Sequence, residues 1–250
     1  MLLISDLIDN IGKKVFTKMD LRWRYNNVRI KEGDEWKAVF SMLEGIFELT
    51  LMFFGLTNPP VTFQALVNNL LRNMIEAGDV VAFIDDVMVE TETEEGHDDI
   101  VEKVLRKMAE NDLFVKPEKC VWNVREVGFL EVIIGLDGIK IKKEKIQRVV
   151  DWLVLRSVKN MQKFLELTNY YRQFVKDFAR VAKLLHEMIK KDVKWNWREK
   201  WQKAFEKLKE RFILEPVLLT PDLDIEMRVE IDILDFAMEE VLSIKCEDEK

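Results

Sequence analysis

Three aspartates hold the most chemical promise in this sequence. Asp20 closes a short apolar run, Val15 to Leu21, and Asp85-Asp86 separates two more, Val80 to Ile84 and Val87 to Val89. Such runs read as strands, with the acidic pair at the tip of a tight hairpin. Strands of one sheet lie about 5 Å apart, so carboxylates on neighbouring strand ends can meet at one cation. The pattern predicts Asp20 and Asp85 side by side, with Asp86 sharing the turn. Hard divalent ions take carboxylate oxygens and leave their other positions to water and phosphate. Two such ions activate an attacking hydroxyl and stabilise a departing pyrophosphate. Asp is also a favoured turn residue, so spacing alone favours a plain turn over a metal site. Other chemistries find less material. Neither His97 nor His186 lies near these carboxylates in sequence, and there is no Ser/His/Asp arrangement or Gly-rich phosphate loop.

The elements that must position the aspartates follow from periodicity. A helix is predicted over Leu2 to Ile11, with Ser5 as cap and Gly12 as stop. Short strands follow at Val15 to Leu21, Val28 to Ile30 and Lys37 to Met42. Asn58-Pro59-Pro60 is a helix start, since Asn can cap and Pro fits the first turn. That helix runs through Phe63, Leu66, Val67, Leu70, Leu71 and Met74 to Gly78. After the hairpin come a helix over Ile100 to Met108 and strands at Cys120 to Trp122, Val127 to Ile134 and Ile139 to Ile141. From Lys142 the pattern is helical: Ile146 to Leu155, Val158 to Leu167, Tyr170 to Met188 and Trp197 to Phe212. Pro216 and Pro221 then punctuate a return to strand at Met227 to Asp232. The order is that of an α+β chain, with boundaries near 140 and 215.

The 250 residues are 48% hydrophobic, enough for a sizeable core, and nine Gly with five Pro exclude a collagen-like or low-complexity chain. No apolar stretch is long enough to span a bilayer, and MLLISDLIDN lacks the basic flank of a secretory signal. Cys120 and Cys246 form no disulfide framework and, with two histidines, no structural zinc site. An intracellular chain, cytoplasmic or nuclear, with no membrane partner is expected. The net charge of −7 hides an asymmetry. Residues 61–115 carry 4 basic and 13 acidic side chains, residues 116–215 carry 24 and 14, and the last 35 carry 3 and 11. A basic block suits a polyanion, and Trp152, Trp195, Trp197 and Trp201 among the Lys and Arg could stack on bases. Amphipathic helices with solvated faces give the same composition.

Seven collinear segments then resemble one family, the reverse transcriptases of gypsy-type LTR retrotransposons. FTKMDLRWRYNNVRI is similar to the first carboxylate motif, and FGLTNPPVTFQ (Phe54 to Gln64) to the template- and nucleotide-binding helix motif. FIDD (Phe83 to Asp86) resembles the aromatic-x-Asp-Asp hairpin, while LFVKPEKC and VGFLEVII resemble the two palm motifs that follow. Met161 to Met188 is similar to the helical segment after the palm, and EPVLLTPD with VEID to the start of a ribonuclease H-like domain. The resemblance implies an antiparallel palm sheet with packed helices over 1–141, a helical thumb or connection over 142–214, and a truncated ribonuclease H-like start over 215–250. It implies RNA-directed DNA polymerase activity on an RNA or DNA template with primer and dNTPs. Asp20, Asp85 and Asp86 are then the catalytic triad, holding two Mg²⁺ ions (Mn²⁺ as substitute). Tyr25 becomes the gate under the incoming sugar. Phe54, Gly55 and Gln64 flank nucleotide and template, and Lys119 is a proton source for pyrophosphate. Phe129 and Leu130 form the primer grip, and Asp232 is a vestigial ribonuclease H carboxylate.

Departures from the family pattern carry their own expectations. Arg24, Glu131 and Glu166 stand where Gly is usual, and Leu153 and Leu184 where Pro is usual. Bulky residues at Gly positions should strain or reshape those turns. Only 19 residues precede Asp20, so the basic fingers are expected to be missing and polymerisation poor. Asp232-Ile233-Leu234, followed by a chain end at Lys250, predicts no ribonuclease H activity. The alternative to catalysis is a nucleic-acid-binding remnant or a functionless element fossil.

Overall fold

The computed structural model describes residues 13–153, 155–191, 193–214, 218, 227–234 and 237–244. The chain divides into two compact units, residues 1–130 and 131–250. The helix predicted over Leu2 to Ile11 and the Pro216 and Pro221 punctuation lie outside the described residues.

Among the described residues of the first unit, β1 (Val15–Asp20) comes first, then the hairpin β2 (Val39–Met42) and β3 (Gly45–Glu48). Helices α1 (Pro59–Leu70) and α2 (Arg72–Glu76) precede β4 (Val80–Phe83) and β5 (Asp86–Thr91). Next come α3 (His97–Ala109), β6 (Val121–Val124) and β7 (Glu126–Phe129). Four strands form an antiparallel sheet in the order β4-β5-β1-β6. Residues directly opposite in such a sheet share a face. Met19 faces Val87, and both join the core with Phe63, Val67 and Leu71 below and Val101, Val104 and Met108 of α3. Each such side chain, once buried, contributes roughly 1.5–3 kcal/mol. The other parity brings Lys18 opposite Met88 and Asp20 opposite Asp86. Helices therefore back one face, and the charged residues lie on the other.

Several predicted elements are redrawn locally. The helix expected from Pro59 to Gly78 breaks at Leu71 (φ −101°, ψ 11°). Asn58 precedes it without a side-chain cap. Two prolines at the helix start remove N–H groups that a cap would otherwise satisfy. Val28 to Ile30 forms only an isolated bridge, Arg29 to Leu51. Strand β3, unassigned by periodicity, pairs with β2 on a hairpin whose apolar side chains are largely exposed. The run Val127 to Ile134 is interrupted by Leu130 (φ 44°) and Glu131 (φ 70°).

The second unit opens with the hairpin of β8 (Val132–Gly135) and β9 (Gly138–Ile141). The α-helices that follow among the described residues are α4 (Lys143–Val150), α5 (Val158–Tyr170), α6 (Phe178–Met188) and α7 (Glu199–Ile213). Ser157 caps α5 by accepting from the Asn160 N–H at 3.2 Å. The expected Tyr170 to Met188 helix starts late because the chain turns at Tyr171 and again at Asp177 (φ 57°). Phe164 of α5 meets Phe205 of α7 at 4.8 Å and Trp152 at 5.6 Å between ring centres, so these aromatics serve as core. Glu166 is exposed on α5 and Leu184 is half-buried in α6, and a helix accepts both residue types without strain. The unit ends in β10 (Met227–Leu234) antiparallel to β11 (Ala237–Ile244), which places Asp232 opposite Glu239.

Candidate active site

The hairpin of β4 and β5 is tighter than its sequence suggests. Phe83 pairs with Asp86, leaving Ile84 and Asp85 as the loop. Asp86 is thus the first strand residue, and Asp20 faces Asp86 across the sheet. The backbone register thus sets Asp86 opposite Asp20, with Asp85 beside the following residue, Leu21. Asp85 lies in the loop, with its carbonyl accepting the Leu21 N–H at 2.9 Å and little of the residue exposed. The register follows from Ile84, which takes φ 55° and allows the chain to reverse in two residues. A β-branched residue there is strained and persists only where its surroundings over-determine it.

Gln64 supplies that constraint. Its Oε1 accepts the Ile84 N–H at 2.7 Å, while its Nε2 donates to the Ala82 carbonyl at 3.0 Å and to Asn68 Oδ1 at 2.8 Å. Strand β4 is an edge of its sheet. The buried amide of α1 continues the ladder there in place of another strand, right beside the acidic loop.

Both opposed carboxylates carry an ammonium partner. Lys116 Nζ bonds Asp20 Oδ1, and the Lys116 N–H also donates to the Asp20 carbonyl at 2.8 Å. Lys18, two residues before Asp20, reaches Asp86 Oδ1 at 3.0 Å. Neither lysine was singled out by sequence reasoning. Their signal was the i+2 parity for Lys18, and for Lys116 a place in the segment bridged to the end of β1 through Leu21 and Val115. Lys119 is exposed on the following short turn, and its N–H caps the Lys116 carbonyl at 2.9 Å. Burial pushes the neighbouring Cys120 thiol up, and its Sγ donates to the same carbonyl at 3.1 Å.

The remaining predicted site residues form two groups. Tyr25 is buried, edge-on to Phe54 at 5.0 Å and to Phe63 at 6.0 Å, so it joins the helix-backed core with one side toward the exposed Phe54 ring. Gly55 takes φ 112°, a conformation that favours glycine, directly after Phe54. Strain expected at Arg24 falls on its neighbour Trp23, at φ 57°. Phe129 is fully buried and Leu130 nearly so. Glu131 does take the glycine-favouring backbone anticipated for it, and the Lys145 ammonium hydrogen-bonded to it holds its carboxyl below the usual range.

One buried group went unnoticed in the sequence. His97 begins α3 with no exposed surface. Thr91 donates to the Thr93 carbonyl at 2.8 Å, so its oxygen accepts the His97 Nδ1–H at 2.7 Å. Nε2 is hydrogen-bonded to the Thr17 hydroxyl at 2.8 Å, and that hydroxyl also donates to Asn123 Oδ1 at 3.2 Å. Both ring nitrogens have partners, and burial holds the pKa below the usual histidine value.

Oxygen-only donors at opposed register positions fit a hard divalent cation, since side chains there are about 5 Å apart at Cβ. The two ammonium groups already seated on them show that this edge of the sheet is arranged for positive charge. Among the described residues no group of three or more His, Cys, Asp or Glu surrounds a single point. Nor is any described helix long and apolar enough to cross a membrane.

An antiparallel sheet backed by helices on one face, with paired carboxylates at a tight hairpin on the other, is a polymerase palm. The family described as reverse transcriptase (RNA-dependent DNA polymerase) matches residues 4–134, and the chain belongs to it. It is similar to the transposon Tf2-3 and Tf2-7 polyproteins of Schizosaccharomyces pombe (strain 972 / ATCC 24843), each 32% identical over 249 residues, covering 99% of this chain and 19% of the relative. The chain thus spans about a fifth of those curated relatives. In fold it matches a foamy viral protease-reverse transcriptase in complex with ds DNA, with a TM-score of 0.85 at 23% identity over 96% of this chain and 42% of that one. A second, in complex with RNA/DNA hybrid, matches at TM-score 0.82 and 22% identity, over 99% and 36%.

Proposed function

We propose that this chain carries RNA-directed DNA polymerase activity, as the reverse transcriptase region of a gypsy-type LTR element, extending a primer on an RNA or DNA template with dNTPs. The observation behind this reading is the register pairing of Asp20 with Asp86 beside the Asp85 loop, on the sheet face opposite the helix-backed core. Asp20, Asp85 and Asp86 would hold Mg²⁺ or Mn²⁺, which when bound would favour ionisation of the primer hydroxyl and neutralise the leaving pyrophosphate. The chain's own part is orientation, and much of the rate in phosphoryl transfer comes from positioning.

The Gln64 amide keeps the acidic loop in its strained turn. Tyr25, braced by Phe63, offers a ring edge beneath Phe54 where an incoming sugar would rest, and a bulky floor there disfavours a 2′-hydroxyl. Phe129 and Leu130 anchor the turn that would meet the primer terminus. Lys116 is better placed than the exposed Lys119 to meet a pyrophosphate at Asp20. The duplexes held by the foamy viral proteins support a primer–template as partner.

Primer extension on an RNA template with Mg²⁺ tests the reading. The unmodified chain should extend and Asp85→Asn should fall to background. No extension by the unmodified chain, or extension that survives the substitution, would overturn it.

A further inference from the structure

Two ammonium groups occupy two of the three carboxylates that the polymerase reading assigns to cations, Asp20 and Asp86. They arrive from separate elements. Lys18 comes along β1 from two residues before Asp20, and Lys116 from the segment before the Pro117–Lys119 turn. Both are largely shielded, with 20% and 24% of the side chain exposed, and so are Asp86 at 27% and Asp20 at 15%. Surface lysines rarely form lasting pairs with a carboxylate, since holding a long side chain costs entropy for little Coulomb gain. Here partial burial strengthens the attraction. The Lys116 backbone is also fixed, its N–H to the Asp20 carbonyl and its own carbonyl to Cys120 and Lys119. Only the side chain can swing away.

We infer that Lys18 and Lys116 form an internal cation lock on the Asp20–Asp86 pair, which a divalent ion must displace in order to bind. The inference rests on the polymerase reading for the identity of the metal-binding edge, but not on turnover. Its physical content is competition. Each ammonium neutralises one carboxylate, so an incoming ion meets a pair without net charge and must displace a hydrogen-bonded cation as well. Release of the lysines leaves two ammonium groups beside the same edge, available to phosphate oxygens of a triphosphate. Metal and triphosphate arriving together therefore lose less than metal arriving alone. The site is weak for a free ion and strong for an ion carried by a polyanion.

The probe is Mn²⁺, followed by loss of the free-ion EPR signal with no nucleotide or nucleic acid present. Lys116→Gln should bind Mn²⁺ about tenfold more tightly than the unmodified chain, the scale of removing one unit charge a few ångströms away in a partly screened site. Lys18→Gln should do the same through Asp86, and serves if Lys116→Gln fails to melt cooperatively. Lys116→Arg, which keeps the charge, should stay as weak as the original. Adding a non-hydrolysable deoxynucleoside triphosphate should shrink the difference between Lys116→Gln and the unmodified chain. Folded glutamine variants that bind Mn²⁺ no more tightly than the original would overturn the lock. A chain that extends primers while its glutamine variants gain no affinity loses the lock and keeps the polymerase reading. Tighter Mn²⁺ binding with no extension has the opposite meaning.

Discussion

Replacing Gln64 by Met isolates the part played by the edge-strand amide. Met matches the length and much of the volume of Gln, so packing in α1 changes little. Three hydrogen bonds disappear, to Asn68, Ala82 and Ile84. Asn68 can turn to water, but the Ala82 carbonyl and the Ile84 N–H lose partners in a buried setting. An unsatisfied buried group costs about 1–3 kcal/mol. Relaxation of the Ile84 turn returns part of its strain, itself about 1–3 kcal/mol. The net loss is about 3 kcal/mol, or roughly 6–12 °C in Tm for a chain of this size. Calorimetry reads that number, and hydrogen exchange at the Ile84 amide should accelerate ahead of neighbouring β5 amides. In primer extension, kcat should fall about a hundredfold with KM for the nucleotide nearly unchanged, because the carboxylate loop is misplaced while the substrate surface remains. Unchanged kcat with a raised KM would refute this reasoning and make Gln64 a direct contact to nucleotide or template.

Two further outcomes follow from polar groups held in the fold. His97 has a folded pKa below its unfolded value, so the unfolded chain takes up the proton first; its stabilising contribution is complete above about pH 6.5 and is lost as the pH falls toward the depressed folded pKa. Thermal melts should show a larger drop between pH 6.5 and 5 for the original chain than for His97→Gln, and parallel curves would exclude the buried ring as the cause. Glu131→Gly relieves a side chain held at φ 70°, worth about 1 kcal/mol, while losing a half-exposed pair with Lys145, worth about 0–1 kcal/mol. Its Tm should be equal or higher, and with Lys145 released the log–log salt dependence of primer–template binding should steepen by about one ion; a marked Tm loss would show that the ion pair outweighs the strain.

The strands were legible in the sequence because short apolar runs mark them and Asp20 and Asp85-Asp86 interrupt those runs; the palm itself came from the family resemblance. The roles of the aspartates came from the collinear family motifs, since spacing could not separate a metal site from a turn. What stayed hidden depends on one residue. Turn rules assign positive φ to Gly, Asn or Asp, so Ile84 read as strand and the hairpin loop was placed one residue late. The displacement hides the register that sets Asp86 directly opposite Asp20. Lys18 and Lys116 read as surface charge, because sequence does not reveal which lysine folds back on a carboxylate 96 positions away in the chain. His97 was hidden for the same reason, as its two threonine partners come from different strands.

The position of Ile84 also explains why structure and chemistry are inseparable at this hairpin. Side chains alternate across a strand, so moving the turn by one residue would exchange the two faces of β5. Asp86 and Glu90 would point into the helix-backed core, and Val87 and Val89, now packed in it without exposed surface, would leave it. Burial of Val87 and Val89 contributes roughly 1.5–3 kcal/mol each, comparable to or larger than the cost of one residue at strained φ. The apolar core therefore holds the register that opposes Asp20 to Asp86, and Gln64 holds the turn that this register requires. The carboxylates contribute no attraction of their own to this arrangement, since like charges directly opposite destabilise a sheet. Lys18 and Lys116 offset that repulsion by pairing with Asp86 and Asp20. Packing sets the geometry and the lysines make it tolerable.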